Sequence, residues 1–457
     1  MTPSQTTSAY ACAPEGADVA RPAAGRTAVR RRDAAFGRQF RLLTSGSAVR
    51  LIALYMVVPF QVLAVTSGLG VSTGATGLIM GLAILASLPV QLLGGAAIDR
   101  FGRVPALVVS VLGGLALYEG LAFAGSLWQV AAVVFIEAAV GQSLFFTAQN
   151  AMTADLVAPH HRAAGYGIGR VALYAALVVG PLLTGWLLGA GLSLRGTFAL
   201  AGLVSLGFVP FLVALRETRP PGHPHASSHL RQTLRGYAVV TGDRRFLRLA
   251  LVTMLPLYAF AQVFNVYPAL LRLQLGIGPA TWSWLVAAFA ATAAVLQYPA
   301  VRRFEARSAR LGLAAGAALL GTGLGGAALL PAGPATVAML VAAAVGVVLV
   351  IPLAQTAISD LAPASLRGRY MGAFSFVYVG GFALGPAVGG LVIDRFGGTL
   401  AAVLLVVTGI VAACLYLWVA PQGPRAAADE ATTAELEALI NRELAGVPAV
   451  SPREETG

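Results

Sequence analysis

The chain has 457 residues, 57% of them hydrophobic and 11% charged, with a mean hydropathy of +0.78. Soluble domains carry about 25% charged residues, so this chain lacks the polar surface to cover itself in water and reads as a polytopic membrane protein. The net charge is +12 and all 31 basic residues are arginine; in such a chain this points to loops facing anionic lipid, not to nucleic acid. Cys12 and Cys414 lie too far apart in character, one in a polar tail and one in an apolar run, to suggest a disulfide framework or a metal site, and no cofactor is expected.

Residues 1–40 are rich in Ala, Pro, Thr and Arg and read as a disordered tail. Arg30-Arg31-Arg32 is followed by a full-length apolar span, not a short cleavable one, and so reads as a cytoplasmic anchor rather than an export signal. Twelve apolar runs follow, near 43–66, 74–96, 104–124, 128–153, 164–188, 197–215, 246–270, 281–301, 309–331, 334–358, 367–393 and 398–420. They divide as 41–215 and 246–420, joined by a Pro, His, Ser and Arg-rich linker at 216–245. Arginines crowd one side of this topology, leaving Arg195, Arg272 and Arg395 on the other, which puts both termini in the cytoplasm. His223, His225 and His229 in the linker, and His160 and His161 after span 4, have no acidic or Cys partners at metal-binding spacing and read as solvated loop residues. The tail 421–457 places Leu436, Leu439, Ile440 and Leu444 at helical spacing behind Asp429-Glu430, a short amphipathic helix.

The halves repeat: Asp155, Leu156, Arg162, Gly167, Gly180, Pro181 and Gly185 map onto Asp360, Leu361, Arg367, Gly372, Gly385, Pro386 and Gly390 at one offset of 205. Between spans 2 and 3 lies Gly95-Ala-Ala-Ile-Asp99-Arg100-Phe-Gly102-Arg103, a charged turn between two apolar runs. Gly-x-x-x-Asp-Arg-x-Gly-Arg at this junction resembles the signature of the major facilitator superfamily of secondary transporters. The resemblance implies an all-α membrane protein of twelve helices in two pseudo-symmetric six-helix bundles related by an axis along the membrane normal. It also implies a gating role for Gly95, Asp99, Arg100, Gly102 and Arg103, with the acid facing the start of helix 11.

Asp155-Leu-Val-x-Pro159-x-x-Arg162, with Gly165-Tyr166-x-x-x-Arg170 behind it, resembles the 4–5 junction of bacterial drug-efflux members; Asp155 and Arg162 can pair there or cap helices. Gly180-Pro181-Leu-Leu-Thr184-Gly185 in span 5 and Gly381-x-x-x-Gly385-Pro386-x-x-Gly389-Gly390 in span 11 form close-packing faces. They are similar to the antiporter motif of drug:proton exchangers, although span 5 has Thr184 where that family has glycine and span 11 carries the fuller copy. Gly390-Leu-Val-Ile-Asp394-Arg395-Phe-Gly397 repeats the opening motif, but span counting puts it on the outer side, so it is set aside; the 8–9 junction keeps only Arg302, Arg303 and Glu305. Gly321-Thr-Gly323-Leu-Gly325-Gly326 matches a dinucleotide fingerprint in letters but lies in an apolar span with no preceding strand, and so reads as helix packing.

Ionisable residues inside a membrane are costly and mark function. Arg50 in span 1, Glu137 in span 4 and Arg170 in span 5 are the candidates, with Glu119 nearer the outer end of span 3. Glu137 lies roughly 13 Å from the outer end of its span at the helical rise, near the midplane. Burial favours its neutral form and a nearby arginine its charged form, a competition suited to proton exchange. Drug:proton exchangers resembling this chain carry an arginine in span 4 and an acid in span 1; here the signs are exchanged, and Arg50 with Glu137 is expected to keep the pair with its members swapped, Arg170 being a further counter-charge.

Tyr55, Phe60, Gln61, Gln142, Phe146, Tyr174, Gln262, Asn265, Phe374 and Tyr378 are candidates for a central aromatic cavity suited to amphipathic compounds, as are Phe145, Gln149, Asn150, Phe260, Phe264 and Tyr267. The expected function is proton-coupled efflux of such compounds by alternating access in a bacterial plasma membrane. The expected partners are a small-molecule substrate, protons and lipid, with a monomeric, non-enzymatic chain. Transport of one specific metabolite, or a membrane sensor that moves nothing, are the alternatives.

Overall fold

The computed structural model describes residues 36–218, 240–305, 308–363 and 366–420. The N-terminal tail with Cys12, the linker histidines 223, 225 and 229, and the C-terminal amphipathic segment lie outside them. The described chain is helical, as lipid demands: without water to satisfy them, backbone polar groups must bond within the segment. The spans are α1 Arg38–Leu69, α2 Thr73–Phe101, α3 Arg103–Phe123, α4 Leu127–Leu156, α5 Arg162–Gly189, α6 Leu194–Ala214, α7 Arg244–Val263, α8 Pro279–Glu305, α9 Ala309–Leu329 and α10 Pro334–Leu361. The last helix, Arg367–Val419, runs 53 residues. Straight, it would be more than twice as long as a bilayer core is thick. It turns at Gly397, where φ is 81° and ψ 170°, and so supplies α11 (367–396) and α12 (398–419). Twelve crossings result among the described residues, with starts within about five residues of the apolar runs. A short helix, Tyr267–Leu275, extends α7 on the side away from the chain termini, here the far face; the opposite one is the termini face.

Helix starts are capped as their sequences allow. Ser72 Oγ accepts from Ala75 N–H at 3.1 Å, and Ser193 Oγ from Gly196 N–H at 3.1 Å. Asp243 accepts from Arg245 and Phe246 N–H at 2.8 and 3.2 Å and also takes the Tyr370 hydroxyl of α11 at 2.8 Å. Small residues set the packing distances. A Cβ on Gly321 would lie 2.5 Å from Gly409 Cα of α12, and one on Gly323 would lie 2.5 Å from the Met339 carbonyl of α10. The glycine-rich run of α9 is therefore a helix-packing face on two sides. Trp128, Trp186 and Trp284 are exposed at the far ends of α4, α5 and α8, and Trp418 at the termini end of α12, positions matching interfacial aromatic belts.

The first six helices and the last six pack as two bundles that touch along α2–α11 and α5–α8. On the far half of α2, Gly74, Gly77 and Gly81 share one face. A Cβ on Gly77 would lie 2.1 Å from the Pro386 carbonyl, and one on Gly81 would lie 2.5 Å from the Ala383 carbonyl. Backbone meets backbone there. The Gly185 face of α5 meets the side chain of Ser283 on α8, whose Cβ would lie 2.9 Å from a Cβ on Gly185. Trp282 Nε1 donates to the Pro59 carbonyl at 3.2 Å, and Gln61 Nε2 to Asn265 Oδ1 at 3.2 Å, tying the bundles together on the far side.

Candidate functional site: a central cavity beside a buried ion pair

Beneath the Gln61–Asn265 bond lies a cavity of about 740 Å³ between the bundles, within the range of small-molecule sites. Its walls are largely aromatic and aliphatic. Tyr55, Gln61, Gln142, Phe146, Tyr174, Asn265 and Tyr378 line it as expected, as do Asn150, Phe260 and Phe264. Phe289 and Phe382 complete the aromatic wall, and Gln91 and Gln297 add polar points that sequence reading missed. The Tyr174 hydroxyl donates to Gln297 Oε1, joining α5 to α8, and Tyr378 stacks on Phe382 with ring centroids 4.7 Å apart.

Six expected lining residues do not reach the cavity. Phe60 is fully buried in the core beside the Pro59 turn, where α1 tightens at Val58–Phe60. Gln262 sits in the α7–α11 contact, its Oε1 2.6 Å from where a Cβ on Gly389 would stand. Phe374 is buried among the termini-side helices of the second bundle. Phe145 and Gln149 are likewise buried off the cavity, and the Tyr267 hydroxyl donates to the Leu324 carbonyl at 2.6 Å.

Arg50 and Glu137 are brought together. Arg50 Nη2 donates to Glu137 Oε1 at 3.1 Å and to the Ser110 carbonyl at 3.3 Å. The guanidinium lies over the Phe145 ring, 4.2 Å from its centroid. Arg50 has no solvent exposure and Glu137 has 4%, yet Glu137 forms part of the cavity wall. Room for the carboxylate comes from two glycines: a Cβ on Gly141 would lie 1.8 Å from Glu137 Oε2, and one on Gly113 of α3 would lie 3.3 Å from it. Residues Glu137–Gln142 form a π-helical turn inside α4, a local widening that recurs at functional sites. Nothing in the residue pattern announces it. Arg50 Nε and Nη1 and Glu137 Oε2 have no hydrogen-bond partner among the described residues.

The other two expected members of this network stand apart. Glu119 faces α6, where a Cβ on Gly202 would lie 2.1 Å from its Oε1; it does not line the cavity. Arg170 lines the cavity on the face of α5 that also carries Tyr174, and it is exposed there. No described acidic group pairs with it.

At the termini face, Gly102 separates α2 from α3 with φ 103°, a conformation that favours glycine. Asp99 is exposed and pairs with Arg103 at 3.5 Å; no described contact places it at the start of α11 as the resemblance implies. Arg103 Nε also donates to Asp155 Oδ2 at 3.0 Å. Asp155 thus pairs with Arg103, while Arg162 Nε donates to the Ala154 carbonyl at 3.1 Å, closing the end of α4. Glu217, unmarked by any motif, accepts from Arg103 and Val104 N–H, both at 3.0 Å, and so caps α3.

The packing motifs act by close approach. A Cβ on Gly180 would lie 2.8 Å from the Tyr55 carbonyl carbon, and one on Gly385 would lie 2.5 Å from the Ala261 Cβ. Pro181 and Pro386 lie inside α5 and α11. Thr184, in the place of a glycine, donates its hydroxyl to the Met56 carbonyl at 2.8 Å beside the α1 break. Gly390 sits against Thr73 and Gly74, and Asp394 Oδ2 accepts from Gly74 N–H at 2.7 Å. The second Asp-Arg-Phe-Gly copy, set aside on span counting, therefore makes a specific contact with the start of α2.

Two helical bundles enclosing a mid-membrane cavity, with a buried ion pair at its wall, define a multi-pass membrane transporter. The family model of the Major Facilitator Superfamily matches residues 43–269 and 249–451, and the chain belongs to that superfamily. It is similar to the multidrug resistance protein MdtH of Aeromonas hydrophila, 29% identical over 372 residues that make up 80% of this chain and 87% of that protein. It is 25% identical over 358 residues to the uncharacterized MFS-type transporter YqjV of Bacillus subtilis, covering 77% of this chain and 85% of that one. The nucleoside transporter NupG shares the fold with a TM-score of 0.67 at 13% identity, covering 84% of this chain and 99% of that one. A bacterial homolog of the human lysosomal transporter Spinster, inward-facing and unoccupied, does so with a TM-score of 0.66 at 16% identity, covering 83% and 96%.

Proposed function

We propose that the chain exports amphipathic organic compounds in exchange for protons, by alternating access, as a monomer in a bacterial inner membrane. The arginine-rich termini face is cytoplasmic on this reading, and the closed far face makes the structure an inward-facing state. The observation that carries the proposal is the Arg50–Glu137 pair at 3.1 Å in the wall of the cavity. A proton on Glu137 removes the carboxylate charge and leaves Arg50 buried and uncompensated, a state that favours a different packing or the entry of water. Protonation is thereby tied to the arrangement of α1, α3 and α4 around the cavity. The drug-resistance name of the MdtH relative and the aromatic cavity support an amphipathic substrate.

The test is proton movement in proteoliposomes of purified protein. Wild-type protein under an imposed pH gradient should move protons when an exported amphipath is added, and Glu137→Gln should abolish that response while substrate binding persists. Undiminished substrate-driven proton movement by Glu137→Gln ends the proposal.

A further inference from the structure

Among the described residues, two charged side chains line the cavity, Glu137 and Arg170. Glu137 is neutralised by Arg50 at 3.1 Å. Arg170 has no acidic partner among the described residues, so with Glu137 ionised the described cavity wall carries one uncompensated positive charge. Phenols share its cavity: Tyr174 lies one turn along α5, and Tyr378 of the opposite bundle lines the same space. The Tyr174 hydroxyl is engaged with Gln297, while the Tyr378 hydroxyl has no described hydrogen bond. A guanidinium and a phenol donor in one cavity, with a wall that includes Phe146, Phe260, Phe264 and Phe382, are matched by an oxyanion on an aromatic body. A cationic amphipath would meet repulsion from Arg170 and would find the one described carboxylate of the cavity, Glu137, already bonded to Arg50.

We propose that the substrate is an organic anion, an aromatic or alicyclic carboxylate or sulfonate whose charged group is bound by Arg170 with help from Tyr378. This rests on the export reading and narrows its substrate class. Arg170 then reads the charge while Arg50–Glu137 handles the proton, so substrate and proton occupy separate sites in one cavity.

The experiment measures binding of three compounds to the purified full-length protein in nanodiscs by calorimetry: naphthylacetate, naphthylacetamide and naphthylethylamine. The carboxylate should bind at least about ten times more tightly than the amide or the amine, the scale of a charge-assisted bidentate contact. Arg170→Gln should erase that preference and Arg170→Lys should keep most of it; the exposure of Arg170 makes both variants compatible with folding. Equal binding of the three, tighter binding of the amine, a preference that survives Arg170→Gln, or no binding of any member overturns the proposal. Transport of the same compounds separates it from the export reading. If the amine is exchanged for protons and the carboxylate is not, the anion proposal falls and export stands; if neither drives proton movement, while other amphipaths do, the anion proposal alone falls.

The two Asp-Arg-Phe-Gly tetrapeptides carry a second, independent inference. Asp99-Arg100-Phe101-Gly102 ends α2 and Asp394-Arg395-Phe396-Gly397 ends α11, each with glycine at positive φ, 103° and 81°. These are the helices that meet across the bundle interface, and they cross it in opposite directions. Asp394 Oδ2 accepts from Gly74 N–H at 2.7 Å, at the positive end of α2. We infer that Asp394 is a far-face latch, holding the cavity shut on that side. Spin labels on L192C and A332C, in exposed far-face loops of the two bundles, read the opening by pulsed electron resonance after Cys12 and Cys414 are replaced. Asp394→Ala should shift the distance distribution to longer values, and Asp394→Asn, which keeps an acceptor but no charge, should shift it less. Unchanged distributions in both variants overturn the latch.

Discussion

At the residue scale, the Arg50–Glu137 pair sets the energetics of the first bundle. Breaking a buried pair by removing one member costs about 3–5 kcal/mol, whereas replacing both members with apolar groups of similar size is often neutral. Glu137→Ala should therefore lower the melting temperature sharply. The double variant Arg50→Met with Glu137→Leu should recover it, and neither should exchange protons; thermal unfolding in detergent beside the flux assay checks this. Gly141→Ala should mimic loss of the acid without removing it, because the added methyl falls 1.8 Å from Glu137 Oε2. The pair was legible in sequence because mid-membrane charges are few and each demands a reason. The π-turn that holds Glu137 was not, since one extra residue in a helical turn leaves no trace in an apolar pattern. Phe60, Gln262 and Phe374 misled for a related reason: a helix apolar on every side does not say which face meets cavity, core or lipid.

At the scale of elements, the ends of helices do more than their motifs advertise. Asp243 caps α7 and takes the Tyr370 hydroxyl of α11. Asp243→Ala should cost about 0.5–2 kcal/mol, the range of lost N-caps, while Asp243→Ser should recover part of it; denaturation midpoints of the two variants decide. Glu217 plays the corresponding part at α3. Neither acid belongs to a recognisable pattern, because a cap needs only an oxygen in the right place and its partner is fixed by the packing of a distant helix. The spans themselves were legible to within about five residues at each end, since twenty apolar residues in a row have one use. The copy of the turn motif after α11 lies on the far side, as span counting implies, but its contact with Gly74 was not legible, since counting is silent on which helix end lies opposite.

For the whole molecule, electrical consequences follow from the substrate proposal. An entering proton exchanged for a departing monoanion moves two elementary charges in one direction, worth about 4.6 kcal/mol per 100 mV. Exchange for a monovalent cation moves none. A potassium diffusion potential, interior negative on the cytoplasmic side, should accelerate export of naphthylacetate several-fold and should reverse its effect when the sign is reversed; indifference to potential would argue for an electroneutral cycle and a different substrate charge. The α2–α11 seam bears on the other half of the cycle. With Gly77 so near the Pro386 carbonyl, there is no side chain to rotate aside and no slack to absorb an atom. A lone methyl at position 77 becomes a doorstop: Gly77→Ala should rest with its far-face entrance ajar, which the distance between spin labels at Leu192 and Ala332 would read as a shift to longer values.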